Sequence, residues 1–161
     1  MELTIDQALQ QGVAAHKEGK LQDAERLYRA ILQAQPFHPD ANHNLGVLAV
    51  AVGKLLEALQ FFKQALDANP NVEQFWLSYI DALIKAELFT EAKTVLAAGE
   101  RSGVSAEKLV TFHKQLQVSV SRDANKAAKK QTLSEKRKRL AEKKKSKKRK
   151  AQGASSGTEP S

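Results

Sequence analysis

The chain repeats itself at a spacing of 34 residues. Gly12 and Gly46 stand one such step apart, and so do Gly19 and Gly53, Leu21 and Leu55, Tyr28 and Phe62, and Pro36 and Pro70. Ala24, Ala58 and Ala92 carry the series through a second step. A period of this size marks a stacked array, in which each unit buries its apolar face only against its neighbours. In the second unit Leu45, Leu48 and Val52 share one helical face. Beyond Gly53, Leu55, Leu59, Phe62 and Leu66 share another. Gly53 suits the left-handed turn that ends a helix. Pro70 cannot continue the second helix and turns Asn69 away from helical backbone. The small residues Gly46 and Ala58 are expected to let the two helices approach closely, and enlarging either costs about 1–3 kcal/mol of overpacking.

This register resembles the tetratricopeptide repeat, whose pattern sets Leu-Gly, an aromatic residue, Ala and Pro at fixed offsets. Residues 39–72 match best, with Leu45, Gly46, Gly53, Ala58, Phe62, Ala65 and Pro70. Residues 5–38 carry Gly12, Gly19, Ala24, Tyr28 and Pro36. Residues 73–106 keep Trp76, Tyr79 and Ala92 but drift. They have Ile80 at the small position, Glu87 at the turn glycine, Gly99 for the second Ala and no closing Pro. The resemblance implies an all-α fold: three helical hairpins in a right-handed solenoid, Trp76 among the packing positions, and a domain over residues 1–123. Ser105 is placed to cap a further helix over about 105–122, whose Leu109, Phe112 and Leu116 would cover the last hairpin.

In this family the first helix of each repeat lines a concave groove. By resemblance the groove here includes Asp6, Gln10, Val13 and Lys17, then Asp40, His43, Asn44 and Val47, then Gln74, Ser78, Asp81 and Lys85. Asn44 precedes Leu45-Gly46, where glycosyltransferase-type repeats place an Asn that holds a peptide backbone. A side-chain amide offers a donor and an acceptor, as an extended main chain does. The plain alternative is an Asn solvating a helix face. The subtype that grips a free C-terminal carboxylate with Lys and Arg is disfavoured, because Leu9, Val13, Gln74 and Ser78 stand where its clamp is sought. His16 and His43 are candidates to face one another across adjacent repeats, but no clear third metal ligand accompanies them, so solvated groove histidines are the reading taken.

Charge divides the chain unevenly. Residues 1–125 hold 12 basic and 15 acidic side chains, whereas residues 126–161 hold 14 basic and 3 acidic. The second stretch has Leu133 and Leu140 as its large apolar residues and no aromatic one, so it cannot build a core. Residues 124–150 are expected to be a helical or disordered Lys/Arg-rich segment, and 151–161 a flexible linker. The run Lys143, Lys144, Lys145, Lys147, Lys148, Arg149 and Lys150 reads three ways: as a self-repelling spacer, as a nonspecific contact for nucleic acid or an anionic surface, or as a signal for nuclear-import carriers. It lacks the interleaved aromatic residues of a single-strand binder.

The absence of Cys excludes a disulfide framework, a zinc finger and thiol catalysis. No phosphate loop or nucleophile elbow occurs, and no apolar run approaches the ~18 residues of a membrane span. The expectation is a non-catalytic, cofactor-free, cytoplasmic protein-interaction scaffold that holds a peptide in its groove. A repeat module followed by a basic stretch and a polar linker is also similar to the N-terminal regions of bacterial repeat-linked transferases of the O-GlcNAc type. That resemblance makes a substrate-recruiting arm the further alternative.

Overall fold

The structure is a computed structural model and describes residues 3–153. Six helices of near-equal length form three hairpins. These are α1 (Ile5–Lys17) with α2 (Leu21–Ala34), α3 (Pro39–Ala51) with α4 (Leu55–Ala68), and α5 (Glu73–Lys85) with α6 (Phe89–Arg101). A long helix follows, α7 (Ala106–Gly153). The chain divides into two compact units, one ending at Gln117 and the other starting at Val118. The capping helix expected near 105–122 and the basic segment after it are therefore one continuous helix. Of the linker expected over 151–161, Ala151 to Gly153 continue α7, and residues 154–161 lie outside the described residues.

Helix ends follow from local chemistry. Thr4 and Gln7 form a reciprocal capping box at the start of α1. His38 caps α3 through Nδ1, which accepts the Ala41 N–H at 3.2 Å, and Pro39 occupies the first turn. The first helix of each hairpin ends in the same left-handed turn. Gly19 and Gly53 hold φ of 76° and 77°, and Glu87 holds 59° at the third equivalent site. The following N–H groups of Lys20, Lys54 and Leu88 reach back to the carbonyls of Ala15, Ala49 and Leu83. Gln35 and Asn69, each immediately before a Pro, leave helical backbone with ψ of 87°. The third hairpin ends without Pro; Gly103 at φ 90° closes α6, and the Val104 N–H bonds the Gly99 carbonyl.

The core of the first unit is a chain of three clusters, each drawing on consecutive helices. Ala8, Ala24, Tyr28, Ile31 and Leu45 pack α1, α2 and α3. Ala49, Ala58, Phe62 and Ala82 join α3, α4 and α5. Phe75, Ile80, Leu96, Leu109 and Leu116 join α5 and α6 to the start of α7. Leu109, Phe112 and Leu116 thus cover the last hairpin at the expected i, i+3, i+7 positions.

The close approach within each of the first two hairpins depends on an aromatic ring facing its glycine. A Cβ on Gly46 would sit 2.6 Å from Phe62 Cε1, and a Cβ on Gly12 would sit 2.6 Å from Tyr28 Cε1. Each glycine therefore accommodates the aromatic ring sixteen positions on. In the third hairpin the pair is reversed in size: Ile80 replaces Gly and Leu96 replaces the ring, and both are buried in one cluster. The drift at Ile80 is a compensated exchange of volume.

In the second unit every side chain of α7 described from Lys126 to Arg149 is exposed. This stretch contributes no core, as its composition requires. A helix is nonetheless its conformation, since Ala, Lys, Arg and Glu are strong helix formers and neither Gly nor Pro interrupts residues 126–150.

Candidate functional site

The first helices of the hairpins stand in a row, with α3 touching both α1 and α5. This array carries all the groove residues expected from the sequence. His43, Asn44 and Val47 on α3 and Ser78 and Asp81 on α5 are half-buried, as is Val13 on α1. Gln10, Lys17 and Lys85 are exposed.

The best-defined polar contact joins α3 to α5. His43 Nε2 lies 2.9 Å from Ser78 Oγ, and Gln74 Nε2 donates to the same oxygen at 3.1 Å. The His43 ring stacks on Phe75 with centroids 4.9 Å apart, and tilts against Phe62 at 5.6 Å. Burial between these rings holds its pKa below the ordinary 6.5, against a hydrogen bond with Asn44 and the charge of Asp40, which both favour protonation. The neutral imidazole suits the geometry, with Nε2 accepting from the Ser78 hydroxyl while that oxygen accepts from Gln74. The neighbour His43 has across the groove is thus Ser78, and its surroundings are aromatic. Among the described residues no group of three or more His, Asp or Glu side chains is arranged to hold a metal ion.

The other expected residues are engaged more locally. Asp81 accepts from Lys85 at 2.5 Å, one turn along α5. Val13 packs against the first cluster and Val47 against the second. The geometry therefore unites His43, Gln74 and Ser78 in one hydrogen-bonded set, with Asn44 beside His43 and apolar Val47 one turn further along α3. Such a strip presents amide, hydroxyl and imidazole groups over an aromatic floor. It offers main-chain-like hydrogen bonding. Of the tail cations, Lys143, Lys144, Lys145, Lys147, Lys148 and Arg149 are exposed on α7, and the Lys150 side chain lies outside the described residues.

Two structural residues, Asn42 and Glu73, escaped the sequence reading, and Trp76 has a second role. Asn42 is fully buried, and its Nδ2 donates to the carbonyls of Pro36 and His38, both at 3.1 Å. Trp76, one period later, donates from Nε1 to the Pro70 carbonyl at 2.8 Å. Both side chains thus tie the residue six after a Pro back to that Pro, a relation visible in the register. Trp76 is core, as expected, and serves also as this tie. Glu73 accepts the Ser105 N–H at 2.8 Å and pairs with Lys108, fastening the start of α7 to α5. Those two bonds, Lys108 first, hold the Glu73 carboxyl below the usual range. Glu57 meets Arg29 of the preceding hairpin at 3.2 Å.

Comparison with known proteins agrees with this architecture. Two tetratricopeptide repeat family models match, over residues 9–73 and 49–107. The chain belongs to the tetratricopeptide repeat family. Cellulose synthase operon protein C of Komagataeibacter xylinus is 28% identical over 102 residues, 56% of this chain and 8% of that protein. The chain thus spans under a tenth of the length of that curated relative. The first tetratricopeptide domain of Spaghetti (RPAP3), solved bound to the HSP90 peptide SRMEEVD, superposes with a TM-score of 0.62 at 19% identity, over 73% of this chain and 97% of that one. An O-GlcNAc transferase mutant from Thermobaculum terrenum gives 0.60 at 20% identity, over 74% of this chain and 23% of that one. These likenesses establish the fold. No helix among the described residues is long and apolar enough to cross a membrane.

Proposed function

We propose that the chain is a non-catalytic protein-interaction scaffold that binds a peptide segment along α1, α3 and α5. The observation that carries this is the strip of half-buried Asn44, His43 and Ser78, with exposed Gln74 bonded to Ser78, beside Val47. The strip pairs hydrogen-bonding groups with apolar surface, as an extended backbone with alternating side chains requires. The peptide seated on the repeat domain of Spaghetti supports the reading by analogy of fold. The ligand differs in kind from an acidic C-terminus, since the strip is neutral where a carboxylate clamp needs Lys or Arg.

Three repeats offer a small surface, and affinity in the micromolar range is expected. The test is selection from a random-peptide library on the full chain at low and high salt. Salt-resistant enrichment of a common motif, weakened about tenfold or more by Asn44→Ala, supports groove binding. Enrichment of acidic sequences alone, lost at high salt, would assign recognition to the basic helix instead.

A further inference from the structure

The basic part of α7 has a sidedness that its composition conceals. Lys129, Lys136 and Lys143 recur every seventh residue, and Lys130, Arg137 and Lys144 form a second row beside them. Leu133 and Leu140 follow the same step. At about 100° per residue, the two leucines project between the two cationic rows, within an arc of about 140°. Both are exposed, at 52% and 60%. Lys126, Lys147 and Lys148 fall in this arc as well, whereas Glu135 and Glu142 point to the opposite side. One face is therefore cationic with an apolar centre and free of acid, and the other mixes both signs.

From this arrangement we infer that α7 lies along an anionic lipid surface, with Leu133 and Leu140 entering the headgroup boundary. The lysine and arginine stems on either side are long enough to run along the leucines and set their charges among the phosphates. From Lys126 to Lys148 the helix rises about 33 Å, and a flat surface meets this whole length at once. The groove of a nucleic-acid duplex curves away from a helix after a few turns, and it has no use for leucines at the centre of the contact. A second copy of the helix is opposed by charge, since pairing through the leucines would bring the cationic rows together.

The test compares binding of the full chain to phosphatidylcholine vesicles with and without phosphatidylserine, and to duplex DNA of random sequence. Two fourfold variants remove equal charge from the two faces. Lys136→Gln, Arg137→Gln, Lys143→Gln and Lys144→Gln alter the leucine face; Lys138→Gln, Arg139→Gln, Lys145→Gln and Arg149→Gln alter the other. All eight positions are exposed, and far-UV circular dichroism checks that helix is retained. The first variant is expected to lose about 100-fold or more in partitioning to anionic vesicles. The second, whose charges stand roughly a helix diameter further off, is expected to lose less than about tenfold. Leu133→Gln with Leu140→Gln should weaken vesicle binding about tenfold or more and leave DNA binding unchanged. Equal losses in the two fourfold variants would overturn the proposal, as would vesicle binding that ignores the leucines or a preference for DNA over anionic vesicles.

Discussion

The sharpest consequence of the hairpin packing concerns Gly46. Its Cα faces the Phe62 ring so closely that an added Cβ would lie 2.6, 2.7 and 3.0 Å from Cε1, Cδ1 and Cζ. The ring has little freedom to yield, being 2% exposed with the His43 ring against it. Gly46→Ala therefore forces α3 and α4 apart, at about 1–3 kcal/mol for overpacking, less about 1 kcal/mol regained in helix propensity. A net loss of up to about 2 kcal/mol follows. Gly99→Ala is the internal control, because its Cβ would meet Trp76 and Val104 at 3.4 and 3.5 Å, which is ordinary contact. That change should stabilise by about 1 kcal/mol. Urea unfolding of the full chain, followed by far-UV circular dichroism, separates the two by a midpoint shift of opposite sign. Adding Phe62→Leu to Gly46→Ala imitates the Ile80–Leu96 solution of the third hairpin. The double-mutant cycle should show favourable coupling. If Gly46→Ala is as stabilising as Gly99→Ala, the argument from ring contact is wrong.

Further predictions concern single groups. The Tyr28 hydroxyl is buried without a hydrogen-bond partner, and desolvation pushes its pKa up to about 12; Tyr28→Phe, which copies Phe62, should raise stability by about 1 kcal/mol, and a loss of that size would reveal a bond to the hydroxyl. Glu87 holds φ at 59°, so Glu87→Gly should gain about 0.5–1 kcal/mol in urea unfolding, and no gain would mean that the turn carries no strain. His43 is held below its ordinary 6.5 by burial, so the native state binds fewer protons than the unfolded chain between the lowered value and 6.5. Its contribution is present above 6.5 and lost as pH falls through the lowered value. His43→Leu, which copies Leu9 and Leu77 at the same register, should flatten the fall in urea midpoint between about pH 7.5 and about pH 5; an unchanged slope would remove His43 as its source.

The fold was legible because the period carries it. Gly12, Gly46, the alanine series and the two prolines mark hairpins that the structure places where the spacing implies. The stripe of Leu109, Phe112 and Leu116 likewise foretold the cover on the last hairpin. What the register left open was which side chain meets which. Gly46 and Ala58 read as small residues that admit close approach, but the ring that fills the space at Gly46, Phe62, is seen only in the structure. Asn42 escaped because a polar residue in a helix reads as surface until its Pro36 and His38 carbonyl partners are seen. Similarly, His43 gave no sign of Ser78 or Phe75, since contacts between hairpins depend on helix offset and not on spacing within one hairpin. Charge counting separated the tail from the repeats but concealed its two faces, which emerge only once the segment is known to be one helix.

The central claim is that α1, α3 and α5 together form the recognition surface. Chemical-shift mapping of a library-selected peptide onto the isotope-labelled full chain tests it most directly. Shifts are expected to concentrate on Val13, His43, Asn44, Val47, Gln74 and Ser78, with α2, α4 and α6 largely silent. Shifts gathered on the second helices of the hairpins, or confined to α7 beyond Val118, would contradict it.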